Sequence, residues 1–149
     1  MRRHMRYAES GQVHIDFHRT TNGTIAYLRE TYGDDFLDET FRRMARCVYK
    51  SIHEDLKRGD WAQLMEHWRH FFDREGGECE VRATDTEATF VVHRCPAIAH
   101  LRRRGIKIDP AFCRQTSVVN CALAVGTPFE IETNVLGDGK CVQTVRRKA

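Results

Sequence analysis

Residues 91–145 decide how this chain is read: VVHRCPAIAHLRRRG (91–105), DPAFCRQTSVVNCALAVG (109–126) and FEIETNVLGDGKCVQTV (129–145). In the first piece alternating residues lead to Cys95-Pro96. Proline has a fixed φ and no amide donor, so it suits the first position of a helix. The spacing therefore predicts a strand ending near Cys95 and a short helix to about Arg104, stopped by Gly105. Asp109-Pro110 repeats the start signal, and a second helix is expected to run to Gly126. FEIETNV and KCVQTVR flank Gly-Asp-Gly-Lys, a hairpin signal.

Upstream, ECEVRATD and TEATFVVHR alternate and read as two strands joined near Asp85. Thr89, Val91, His93 and Cys95 are expected on one face of the second strand, with Ala88, Phe90 and Val92 on the other. Further back the period changes to that of helices. Thr21 or Asn22 is placed to cap a helix carrying Ile25, Leu28 and Tyr32 and ending at Gly33. Asp34 opens a longer helix with Leu37, Phe41, Met44, Val48, Ile52 and Leu56 as one apolar stripe, ending at Gly59. Asp60 opens a third, with Gln63 as a capping-box partner and Trp61, Leu64, Met65, Trp68, Phe71 and Phe72 on one face. His67 falls at the edge of that stripe and His70 opposite it. The expectation is an α+β fold: an antiparallel sheet of about four strands with the N-terminal helices packed on it.

The chain has 149 residues, which suits a single domain over 1–149. Its parts are read as a loose segment at 1–12, a helical part at 13–75 and a mixed part at 78–147. It lacks the run of about 20 apolar residues a membrane span needs, and no apolar segment follows the basic N-terminus. A cytoplasmic location with no membrane partner is expected. Net charge is +3. Arg102–Arg104 and Arg146–Lys148 read as solvated ends rather than a nucleic-acid stripe. The tryptophan-rich third helix is the place where homo-oligomer contacts would be expected. Six cysteines without a C-x-x-C pair are expected to be thiols.

Four of those cysteines lie between 91 and 145. Cys95 and Cys113 stand near helix starts, where free amides and the positive helix end favour a thiolate. His93 or His67 could move the thiol proton. Asn120, two turns after Cys113, could hold a carbonyl or an oxyanion. Ser117 shares that helix face, and Cys141 follows a turn that could fold back to the same place. Against this, a cysteine is often simply a small buried apolar residue, and a strand histidine is often only hydrogen-bonded.

The set His93-Arg94-Cys95-Pro96, Phe112-Cys113 and Gly137-Asp138-Gly139-Lys140-Cys141 resembles the L-2-amino-thiazoline-4-carboxylic acid hydrolase family. YLRETYGDDFLDE (27–39) and His67-Trp68 resemble it too. The likeness runs from about Asp16 onward, with Cys95, Cys113 and Cys141 as the matched positions. Gln115 and Thr116 stand where members often carry an acid, and Val142 and Gln143 where many carry an aromatic. The resemblance implies a cysteine-dependent hydrolase that opens a C–N bond in a small thiazoline, amidine or cyclic amide ring, with a small-molecule substrate and no cofactor. Cys95 and Cys113 are both candidates for the nucleophile.

Two alternatives stand beside it. Cys95, Cys113 and Cys141 with His93 (or His67) would form a Cys₃His zinc site, although the spacings are long. A glycine turn before a cysteine in a final hairpin is also similar to the non-catalytic small-molecule-binding domain of the vinyl-reductase type.

Overall fold

A computed structural model gives the structure of residue 14 and residues 16–149; the expectation for residues 1–12 lies outside them. The elements run α1 (Phe17–Tyr32), α2 (Asp34–Cys47), α3 (Lys50–Lys57), α4 (Ala62–Arg74), β1 (Glu78–Ala83), β2 (Glu87–Arg94), α5 (Pro96–Arg103), α6 (Arg114–Ala124), β3 (Phe129–Gly137) and β4 (Lys140–Arg147). The strands form one antiparallel sheet in the order β1-β2-β4-β3. The fold is α+β, with the N-terminal helices packed on that sheet.

The register explains which side chains face the helices. Val81 pairs with Phe90, Phe90 with Gln143, and Gln143 with Thr133. Directly opposed residues point to the same face, so these four share a face with Val92, Cys141 and Val135. Phe90, Val92, Phe129 and Val145 are fully buried there. The other face carries Glu80, Arg82, Arg146 and Glu132, joined by surface ion pairs such as Arg82–Glu80 at 2.5 Å.

The long second helix expected from the sequence is two helices. Tyr49 leaves the helical region (φ −101°, ψ 22°) between α2 and α3, and its amide reaches back to the Met44 carbonyl at 3.2 Å. The break serves two separate apolar clusters. Leu37 and Phe41 pack with Ile25, Ala97, Leu101 and Phe112, whereas Ala45, Ile52 and Leu56 pack with Leu64, Trp68 and the sheet. A straight stripe through Val48 would serve only one of them, and Val48 is 52% exposed.

Helix α1 starts at Phe17, earlier than Thr21, because His18 and Asn22 continue the buried face of Ile25. Helix α6 starts at Arg114, later than Asp109. The Asp109 carboxylate instead accepts the Ala111 amide at 2.8 Å and a bidentate pair from Arg29, so residues 110–113 form turns. Trp68 is buried against Phe90 and Trp61 lies over Phe129, with ring centroids 5.8 and 5.4 Å apart. The tryptophan face of α4 is therefore covered by the chain's own sheet. Among the described residues no helix is long and apolar enough to cross a membrane.

Candidate functional site

Cys95 leaves β2 and caps α5, with φ −71° and ψ 121°. Its amide donates to the Gly139 carbonyl at 2.8 Å, which ties the start of α5 to the β3–β4 turn. Gly139 has φ +73°, and a Cβ there would meet Ile98 at 3.3 Å; a glycine lets the turn lie this close. Arg102 of α5 adds an ion pair to Asp138 at 3.2 Å. Cys141, opposite Val92, faces inward from β4. Cys113 stands at the start of α6. All three cysteines line one cavity of about 630 Å³ between the helices and the sheet. Met44, Trp68, Phe72 and Val119 give that cavity an apolar wall, and exposed residues such as Phe17, Phe71 and Lys140 lie at its rim.

The thiols are neutral groups. Burial pushes the Cys95 thiol up; the amides of Ala97 and Ile98 oppose this without reaching the geometry of a capping hydrogen bond, and Glu75 raises it further. Burial outweighs the helix start, so the lowered value expected from sequence is not what the site produces. Burial also pushes Cys113 up, helped by Cys95. Cys141 is pushed up to about 12 by burial and then by Cys95, with Gln143 opposing. All six cysteines are free.

Asn120 is buried beside this group. Its Nδ2 donates to Thr133 Oγ1 at 2.8 Å and to Gln143 Oε1 at 2.7 Å. Gln143 Nε2 in turn approaches Cys141 Sγ at 3.9 Å. Both amide hydrogens of Asn120 are thus spent inside the protein. It braces Gln143 against Cys141 rather than presenting a donor to an oxyanion.

The other sequence candidates divide. His67 lines the cavity, in ring contact with Tyr49 and Phe71 at 5.0 and 5.2 Å. His93 does not line it: the strand ends at Arg94, so Cys95 no longer shares its face. The His93 side chain is 54% exposed and lies 3.6 Å from Glu80 on the outer face. Ser117 lines a separate groove of about 370 Å³ with Arg42, Arg46, His53 and Cys121. The zinc set of Cys95, Cys113, Cys141 and His93 is therefore not assembled. Among the described residues no group of three or more His, Cys, Asp or Glu side chains is arranged to hold a metal ion.

Sequence reasoning missed a second polar pair in the cavity. His18 Nε2 lies 2.6 Å from Glu75 Oε2, with side chains only 11% and 3% exposed, and both line the cavity. They are 57 residues apart, and no local pattern joins them. The nearest signal was Gly76-Gly77, which ends α4 directly after Glu75.

No family model and no curated protein matches this chain. Among solved structures it is similar to a trafficking protein particle complex subunit 3 from Naegleria fowleri, solved covalently bound to palmitic acid. The TM-score is 0.51 at 14% identity, covering 91% of this chain and 95% of that one. That likeness is one of fold.

Proposed function

We propose that this chain binds a small, largely apolar molecule in the cavity between its helices and its sheet. The observation that supports this is a 630 Å³ cavity with a mainly apolar wall and three inward-facing thiols. Its volume lies in the usual range for ligand sites, which combine apolar walls with few polar groups. The palmitic acid held by the structural neighbour is consistent with an apolar occupant here. The non-catalytic binding domain of vinyl-reductase type is thus the nearer of the readings from sequence. Titration of the protein with the apolar dye anilinonaphthalene sulfonate tests it. Wild type should bind about one dye per chain, and Val119→Trp, which narrows the cavity, should weaken the binding while keeping its circular dichroism. Equal binding by both proteins would remove the proposal.

A second reading is the ring-opening hydrolase, favoured by Cys95, Cys113 and Cys141 meeting His67 at one cavity. A cavity thiol would attack the ring carbon, forming a carbon–sulfur bond, and its proton would pass by way of His67 to the departing ring nitrogen. Water would then add at that carbon and the sulfur would leave as thiol, so that one water is consumed. High thiol pKa values make this step depend on the base, because little thiolate is present beforehand. Incubation with 2-amino-thiazoline-4-carboxylate, followed by assay of ring-opened product, tests it. Loss of product in Cys95→Ser or Cys113→Ser would support the reading; no product from wild type would sink it.

A further inference from the structure

We propose that Glu75, held in place by His18, is the polar anchor of the cavity and selects ligands whose head is a protonated nitrogen, an amine or an amidinium. This rests on the binding reading above and names the ligand class. The walls explain the need for an anchor. Trp68, Phe72 and Val119 cannot orient a ligand, and a few placed polar groups must do so. The buried hydrogen-bonding groups of the cavity are mostly spoken for. Asn120 is committed to Thr133 and Gln143 and Asp109 to Arg29; outside these, at the exposed rim, Arg102 pairs with Asp138.

Glu75 is different. Its side chain is 3% exposed, and the one hydrogen bond that side chain makes among the described residues is accepted by Oε2 from His18 Nε2. A carboxylate has about four acceptor sites on two oxygens, so one partner leaves acceptor capacity on a residue that lines the cavity. A protonated nitrogen donating there would form a charge-assisted bond, the stronger kind. Glu75 also acts electrostatically on Cys95, behind burial and the Ala97 and Ile98 amides, so the head would lie at the Cys95 end. The competing choice is an acidic head held by Lys140, which lines the cavity but is exposed. An exposed ammonium contributes little to such a pair, whereas a buried carboxylate contributes more.

Three probes with one tail and different heads decide between them: decan-1-amine, decan-1-ol and decanoate, titrated below micelle formation against the full chain. Wild type should bind the amine at least ~10-fold more tightly than the alcohol, with decanoate weakest. In Glu75→Gln the amine-to-alcohol ratio should fall to about one. In His18→Gln, which keeps the carboxylate, the preference should persist; circular dichroism checks that both variants fold. A wild-type ratio near one, a preference that survives Glu75→Gln, or decanoate as the tightest probe would overturn the anchor. If decan-1-ol itself fails to bind, the cavity reading falls and the anchor with it; a bound alcohol without amine preference overturns the anchor alone.

Discussion

Sulfur chemistry in this chain is governed by burial rather than by helix position. Cys95 and Cys113 both stand at helix starts, yet both thiols are pushed up because the charged form would lose its water. Cys47 and Cys121 are exposed instead. Iodoacetamide at neutral pH should therefore label Cys47 and Cys121 first, with Cys95, Cys113 and Cys141 slow until the protein unfolds; peptide mass mapping over time reads the order. Fast labelling of Cys95 in the folded protein would mean that its helix amides win. The same shifts set a pH dependence. Each of these thiols has a folded pKa above its unfolded one, so the stabilisation is complete below the ordinary value of 9.0 and is lost as pH rises through it toward about 12 for Cys141. Urea midpoints should fall across that alkaline window, and Cys141→Ala should flatten the fall.

At the scale of elements, close approach is decisive at one glycine. Gly77 joins α4 to β1, and a Cβ there would lie 2.9 Å from both Phe72 Cδ1 and Pro96 Cδ and 3.2 Å from the Arg94 carbonyl. Its neighbours are a packed ring, a proline and backbone, none of which can swing away. Gly77→Ala should cost roughly 1–3 kcal/mol by overpacking, read as a lowered midpoint in urea; an unchanged midpoint would contradict the packing described here.

Much at this scale was legible in the sequence because it is local. Proline at a helix start, Gly-Asp-Gly in a hairpin and period-two runs each act within a few residues, and β1 to β4 and α5 fall close to where they were expected. The misses are tertiary. The break at Val48–Tyr49 follows from two clusters that only the folded chain defines. His93 was placed beside Cys95 by carrying strand parity one residue past the end of β2. The Glu75–His18 pair joins α1 to the end of α4, and no spacing announces it. Asn120 was found by its helix face, but its partners Thr133 and Gln143 come from two strands and turn an apparent donor into a brace.

Taken whole, the molecule is a sheet with a polar outer face and an inner face only partly filled by side chains. Helices α3, α4 and α6 pack on that inner face, and α1 and α5 line the cavity beside them. Cys95, Cys113 and Cys141 come to its wall from the end of β2, the start of α6 and the start of β4. The groove at Ser117 and Cys121 is smaller, about 370 Å³, and is lined by Arg42, Arg46 and His53 together with Val118, Ala122 and Val125. We propose that an apolar ligand enters the larger cavity in preference to the smaller groove. Methyl-resolved NMR during titration with decan-1-ol tests this most directly. The methyls of Ile98, Ile108 and Val119, which line the cavity, should shift together and saturate, while those of Val118 and Val125 in the groove should stay still. Saturable shifts confined to Val118 and Val125, or none anywhere, would contradict the account.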